Sequence, residues 1–227
     1  MEYAMYWKKK FKNLFLIIFL FFNVISIQAQ EFVLNQHYSE IDNAVPSHKK
    51  NVVQFFSLYC PACYLYEKNI IPIVLNHIDT DIQLKQYYLN LHGSPQEDLL
   101  ASAYAVAEVY KIGDKVKADL FALIQDQRKK IYTEEQIYPV FEKYNISTED
   151  YKKTTHSFIV NLKIKEWYNL KEKAKINAIP SFIVNEKYII NTSKLANLME
   201  LPHIINYLAN KDKIKSDEQM LPIENEK

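Results

Sequence analysis

The sequence predicts an α/β fold that is interrupted by a block of helices. A buried strand, a helix and a second strand come first; a long stretch with helical periodicity follows, and strand signals then return. The chain has 227 residues, of which 48% are hydrophobic and 2 are glycine. This composition favours a helix-rich protein with short loops and a substantial core, of a size that suits one domain with a large insertion.

The first 29 residues have the pattern of an export signal. Four lysines between residues 8 and 12 precede the apolar run Leu14–Ile27, and Ala29 supplies a small residue near which we expect cleavage. The apolar run is short for a membrane span, and an uncleaved anchor is the alternative. Export of this kind predicts a location in the bacterial periplasm, where disulfides persist.

Residues 30–93 are predicted to form the first half of the α/β fold. Val52–Ser57 is a short apolar run that fits a buried central strand. A helix is predicted from Pro61, because proline is tolerated in a first helical turn, and Pro72 is expected to kink that helix. Ile82–Leu91 is predicted to be the second strand. The polar segment before the first strand predicts no regular element.

Residues 94–173 are predicted to form an all-helical insertion. Its helices are recognised from their N-terminal signals, namely side-chain caps, a proline in the first turn and a capping box. The predicted starts are Ser94 with Pro95, the residue after Gly113, Thr133–Gln136, and Ser147 or Thr148 with a run to about Lys175. We interpret this block as scaffold.

Residues 174–210 are predicted to form the second half of the α/β fold. Pro180–Val184 and Tyr188–Ile190 flank a polar turn, which predicts a β-hairpin. Leu201–Asn210 is predicted to be the last helix. The charged tail 211–227 is expected to fray.

The two cysteines, Cys60 and Cys63, lie together in the stretch "SLYCPACYLYEK". A zinc site needs about four ligands, and the histidines show no spacing that completes one. A Cu(I) carrier needs only the two thiolates and remains an alternative. A purely structural disulfide across so short a loop would stabilise the fold little.

The context of the two cysteines favours a redox-active pair. Cys60 is predicted to lie where a strand ends and a helix begins, so unpaired amides and the positive end of the helix dipole point at its sulfur. This placement lowers the pKa of the thiol. Cys63 lies one turn further into the helix and can resolve a mixed disulfide formed on Cys60. A strand, C-x-x-C and helix in this order is a far stronger signal than an isolated C-x-x-C.

Two motifs and the order of the elements resemble the DsbA family of exported thiol–disulfide oxidoreductases. The stretch "FFSLYCPACYLYEK", from Phe55 to Lys68, follows the family pattern F-F-S-x-x-C-P-x-C-Y-x-x-E. The stretch "AIPSFIVNEKYIIN", from Ala178 to Asn191, is similar to the family's cis-proline loop and hairpin. The resemblance covers nearly all of the chain after the signal segment. It implies a thioredoxin fold with an inserted all-helical domain.

The resemblance implies roles for four residues of the site. Cys60 resembles the exposed nucleophile of the family, and Cys63 resembles the resolving thiol. Pro180 resembles the cis-proline that faces the disulfide, although an ordinary proline at a strand entry is the alternative. A cis bond at this position would leave the backbone of Ile179 to pair with an extended substrate strand.

Four further residues are expected to tune the redox pair. Pro61 and Ala62 separate the cysteines, and the best-known members have His where this chain has Ala62. Those members also have a buried acid where this chain has Gln54, paired with a lysine that aligns with Gln86. Two amides would then replace a buried ion pair, at modest cost in stability. Glu67 is retained and is expected to take over part of the acid's role.

The sequence therefore predicts an enzyme that introduces disulfide bonds into unfolded or reduced exported proteins, without a cofactor or metal. The resemblance implies reoxidation by an inner-membrane partner of the DsbB type. Because His is absent at Ala62, we expect a weaker oxidant than the strongest members. The alternatives are a reductase or isomerase and, less favoured, the Cu(I) carrier. Isomerases of this superfamily dimerise through an added stalk, for which the segment from Ala29 to Val52 is too short, so we expect a monomer. The net charge of +1 provides no electrostatic footprint for nucleic acid.

Overall fold

A computed structural model describes residues 32–45 and 49–219 of the chain. The predicted signal segment, residues 1–29, lies outside the described residues, as does the end of the charged tail. In the described part of the chain, no helix is long and apolar enough to span a membrane.

Within the described residues, five strands form one mixed sheet in the order β1-β5-β4-β2-β3. Strands β2 and β3 run parallel, and the other neighbours are antiparallel. The strands are β1 (Tyr38–Glu40), β2 (Asn51–Phe56), β3 (Gln83–Tyr88), β4 (Ser181–Val184) and β5 (Tyr188–Ile190). The two central strands and the hairpin are therefore confirmed. Strand β1 was not predicted, because three residues are too few to show a period of two.

The helices follow the predicted order and confirm the α/β class with a helical insertion. Two helices lie between β2 and β3, five belong to the insertion, and one follows the hairpin, all within the described residues. They are α1 (Pro61–Asn69), α2 (Ile71–His77), α3 (Pro95–Val109), α4 (Gly113–Phe121), α5 (Tyr138–Glu142), α6 (Thr148–Thr155), α7 (Phe158–Lys173) and α8 (Leu201–Gln219). The break between α1 and α2 confirms the effect of Pro72, which has no N–H to continue the helical ladder.

Three helices of the insertion differ from the prediction. Helix α4 ends at Phe121, where a π-helical turn, Ala122–Asp126, takes over. The capping box at Thr133 forms, but it opens a short 3₁₀ turn rather than a helix. The single run predicted after Ser147 is two helices, because the side chain of Ser157 accepts the N–H of Val160 and caps a new helix.

The last helix continues past Asn210, where the sequence predicted its end, to Gln219. Asp212 explains the extension, because its carboxylate pairs with Lys187 at 2.8 Å and accepts the hydroxyl of Tyr188 at 2.7 Å. These contacts fasten the helix to the β-hairpin beyond the predicted end. The limits of the predicted domains remain predictions.

Strand β2 contributes to two hydrophobic clusters, and all six of its residues are buried. Phe55 and Phe56 belong to the cluster that includes residues of the helical insertion. Val52 belongs to the cluster that includes residues of α2 and α8. A strand buried on both faces forms a rigid support, and the residues that follow its last position are held firmly in place.

Candidate active site

Cys60 lies at the N-terminus of α1, four residues after β2 ends. It is the N-cap of that helix, with φ −86° and ψ 109°, and its Sγ accepts the N–H of Cys63 at 3.0 Å. Pro61 occupies the first helical turn, where its missing N–H leaves no backbone bond unmade. The predicted placement of the first sulfur at a helix N-terminus is confirmed.

Cys60 and Cys63 are joined by a disulfide, with their Cα atoms 5.2 Å apart. Cys63 is 1% exposed, whereas Cys60 is only partly buried. Pro61 and Ala62, between them, are exposed. Of the two cysteines, Cys60 is therefore the one that is partly open to solvent.

The Pro180 loop lies directly against the disulfide. Antiparallel pairing of β2 with β4 places Phe55 opposite Ser181, so the residues before Ser181 meet the turn that carries Cys60. The peptide bond between Ile179 and Pro180 is cis, as the resemblance implies. The carbonyl oxygen of Ile179 lies 3.9 Å from the Sγ of Cys60. Two stretches that are distant in sequence therefore form one surface.

A buried carboxylate supports the turn before Cys60. The Oγ of Ser57 accepts the N–H of Tyr59 at 3.1 Å and donates to the carboxylate of Glu97, a residue that is 6% exposed. The sequence analysis did not single out Glu97. Its spacing from Ser94 is that of a capping box, which would have predicted a local bond within α3 rather than one to Ser57.

The π-helical turn of the insertion holds the other side of the active-site turn. Gln125 donates to the carbonyl of Leu58 at 2.7 Å, and Asp126 accepts the hydroxyl of Tyr64 at 2.6 Å. The hydroxyl of Tyr59 accepts the N–H of Ile131 at 2.8 Å. π-helical turns are often found at functional sites; here the turn places two side-chain contacts near the cysteines, and the segment that follows it adds the bond of Ile131.

Gln54 and Gln86 are direct neighbours on β2 and β3, as the sequence comparison with the family implied. The amide of Gln86 donates to Oε1 of Gln54 at 2.7 Å and to Oε2 of Glu67 at 2.9 Å. Two amides therefore occupy this position, as the resemblance implied, where the family pattern has a buried ion pair. The retained acid, Glu67, is bonded to one of them.

Lys117 of α4 joins this group, and the sequence analysis missed it. Its ammonium is 2.8 Å from Glu67 and 3.1 Å from Asp114, and it donates to Oε1 of Gln86. Its side chain is 1% exposed. A lysine in an amphipathic helix is usually solvated, so no sequence signal could have identified it. We call Gln54, Glu67, Gln86 and Lys117 the amide–ion cluster.

Two buried phenols lie near the same strands. Burial raises the pKa of Tyr88, whose hydroxyl lies 3.4 Å from the Oγ of Ser57, and burial also raises the pKa of Tyr104. Both phenols therefore stay protonated. No group of three or more His, Cys, Asp or Glu side chains suited to a metal ion occurs within residues 32–45 and 49–219.

Comparison with known proteins agrees with this geometry. The family model described as a DSBA-like thioredoxin domain matches residues 51–201. The thiol:disulfide interchange protein DsbA of Buchnera aphidicola subsp. Schizaphis graminum is 29% identical over 191 residues, which cover 83% of this chain and 91% of the relative. DsbA of Haemophilus influenzae is 33% identical over 151 residues, covering 66% and 72%. The crystal structure of DsbA from Klebsiella pneumoniae is 29% identical and has a TM-score of 0.71, covering 80% of this chain and 100% of that one.

The matched region contains both cysteines, the Pro180 loop and the helical insertion. It therefore includes every element that forms the site, and it supports a periplasmic location. The chain belongs to the DsbA-like thioredoxin family and is a disulfide oxidoreductase that introduces disulfide bonds.

Proposed function

We propose that Cys60 carries out the exchange with substrate and that Cys63 resolves it. The observation that supports this assignment is the difference in exposure between the two sulfurs, with the accessible one at a helix N-terminus. A substrate thiolate attacks the Sγ of Cys60 and the bond between Cys60 and Cys63 breaks. Cys63 leaves as a thiolate and takes up a proton, and the substrate is held as a mixed disulfide.

A second substrate thiolate completes the reaction. It attacks the substrate sulfur of the mixed disulfide and releases Cys60 as a thiolate, which the amides and dipole of α1 stabilise. The substrate loses two electrons and two protons as its disulfide forms, and the enzyme gains two electrons. Because the Cys60 thiolate is weakly basic, it leaves readily, which favours oxidation of the substrate.

The proposed substrates are unfolded or reduced exported proteins. Such a chain would lie along the backbone of Ile179 as an added strand, with its sulfur beside Cys60. We further propose cleavage of the signal segment near Ala29 and reoxidation by an inner-membrane partner of the DsbB type. Residue 62 is an exposed alanine and provides no cation beside Cys60, which supports a weaker oxidant than the strongest members.

The test is to trap the mixed disulfide in an exporting bacterium. In Cys63→Ser, Cys60 is the sole thiol. When its thiolate opens a disulfide of an exported protein, no second enzyme thiol can attack the mixed disulfide, so we expect adducts with several exported proteins on non-reducing gels, released by a thiol reductant. The matched control is Cys60→Ser, which should form none. Absence of adducts with Cys63→Ser, or equal adducts with both variants, would contradict the assignment.

A further inference from the structure

Lys117 is a fully buried lysine that the proposed exchange does not yet use. It lies on α4, within the helical insertion, and two of its partners lie on other elements: Glu67 on α1 and Gln86 on β3. Burying an ammonium ion is costly unless it is paired and hydrogen-bonded, and here Glu67, Asp114 and Gln86 all accept from it. An exposed lysine on the same helix would have avoided this cost, so the burial calls for an explanation.

The amide–ion cluster lies beside the resolving cysteine. Glu67 is four residues after Cys63 on α1, so the two side chains share one face of the helix, with Cβ atoms about 5–6 Å apart. Cys63 is 1% exposed, and the side chain of Glu67 is 22% exposed. The interaction of charges in such a poorly solvated place is several times stronger than in water.

Two other charged groups, Asp114 and Glu108, interact with Lys117. Asp114 is 92% exposed, so solvent screens its contribution. Burial raises the pKa of Glu108, which interacts with Lys117, Asp114 and Lys163. The ion pair of Lys117 and Glu67 is thus the charged element of the cluster that directly joins the insertion to the helix of the two cysteines.

We propose that Lys117 is a positioning residue of the redox centre: paired with the Glu67 carboxylate on the Cys63 face of α1, its charge offsets that carboxylate and thereby favours the reduced, thiolate-bearing form of the enzyme. The inserted helical block thereby supplies a cation at the place where β3 presents the amide of Gln86. This inference rests on the proposed roles of Cys60 and Cys63.

The proposal predicts opposite effects for the two partners of the ion pair. Lys117→Met removes the cation and leaves a carboxylate, which disfavours a nearby thiolate, so the disulfide should become less oxidising. Glu67→Gln leaves the cation and should make it more oxidising. We define the equilibrium constant for reduction of the enzyme disulfide by two molecules of glutathione, so a more oxidising disulfide has a larger constant. At pH 7 we expect this constant to change threefold to tenfold, a tenfold change being about 30 mV. The double variant should lie close to the unchanged protein.

The measurement is equilibration of each purified variant with glutathione buffers, with the reduced fraction determined after acid quenching and thiol alkylation. Lys143→Met is the matched control, because Lys143 belongs to the same block and pairs with Asp119 at the surface; its constant should not change. If Lys117 had only a structural role, the equilibrium constants of Lys117→Met and Glu67→Gln would change in the same direction or not at all. Either result overturns the proposal.

Lys117→Arg covers the case in which Lys117→Met does not fold. It keeps the charge and should keep the equilibrium constant within about twofold, while Glu67→Gln must still raise it. Failure of Glu67→Gln to raise the constant overturns the proposal. Because the equilibrium with glutathione involves no exported substrate, its outcome is independent of the trapping experiment that tests the proposed function.

Discussion

The active-site turn and the amide–ion cluster are adjacent but are built in different ways. Within the turn, bonds between near neighbours place the sulfur of Cys60: Ser57 accepts the N–H of Tyr59, and Cys60 accepts the N–H of Cys63, while side chains of the insertion support the turn from outside. The four members of the cluster come from four elements, β2, α1, β3 and α4. The reactive sulfur is therefore presented by local structure, whereas the charges around it depend on tertiary packing.

The turn and the cluster should tolerate amino-acid substitutions differently. A sulfur placed by local bonds keeps its position at the helix N-terminus as long as its own motif is kept. A cluster of side chains from separate elements can exchange its members, as when a lysine from the insertion appears where a neighbouring strand offers only an amide. We expect substitutions in the turn to change the chemistry of Cys60 strongly, and substitutions in the cluster to adjust it.

The largest effect should be on the Cys60 thiol itself. In the reduced Cys63→Ser variant we expect a Cys60 pKa several units below the unperturbed value of about 8.5, because the N-terminus of α1 stabilises the thiolate. Each unit corresponds to about 1.4 kcal/mol. The measurement is the absorbance of the thiolate as a function of pH.

The corresponding Cys60→Ser variant, with buried Cys63 as its thiol, should show no thiolate at neutral pH. A Cys60 pKa near 7 would instead favour the reductive chemistry of the alternative reading. An unshifted pKa would show that the local geometry of the turn does not activate the sulfur. It would also contradict the expectation that the turn affects Cys60 more strongly than the cluster does.

An intermediate effect is expected from Ala62→His. The imidazolium would lie beside Cys60 at an exposed position and stabilise its thiolate, so the equilibrium constant with glutathione should shift about tenfold toward a stronger oxidant, or about 30 mV. Ala62→Asn is the matched neutral control and should change little. Equal shifts for both variants would mean that side-chain size at this position, rather than charge, controls the potential.

The smallest effect is expected from Gln54→Leu within the cluster. Gln54 is fully buried, and its Nε2 has no hydrogen-bond partner among the described residues. Loss of the bond from Gln86 is offset by removal of this buried donor, so the free energy of unfolding should change by less than about 1 kcal/mol. Urea denaturation is the measurement.

Gln86→Leu is the informative comparison for Gln54→Leu. It removes a partner from both Glu67 and Lys117, and we expect a loss of about 2–3 kcal/mol because charged groups would be left less well bonded. A similar loss for both variants would show that the cluster is held by packing volume rather than by its hydrogen bonds.

Much of the fold was predictable because its signals are local or periodic. The buried run before Cys60 and the hairpin after Pro180 were both identified within a few residues of their observed limits. Strand β1 was missed because it is short and polar, and its pairing with Tyr188–Ile190 is what makes it a strand. The last helix was predicted too short because Asp212 is fixed by contacts with the hairpin rather than by its own segment.

The sequence by itself determined the redox pair and its setting. A proline after Cys60, a preceding apolar strand and a following helical run place one sulfur at a helix N-terminus, since capping and dipole effects act within a single turn. Only the tertiary structure decided which charge lies beside that helix. Helical periodicity does not reveal which lysine of α4 turns inward, because burial and electrostatic pairing depend on elements brought together from distant parts of the chain.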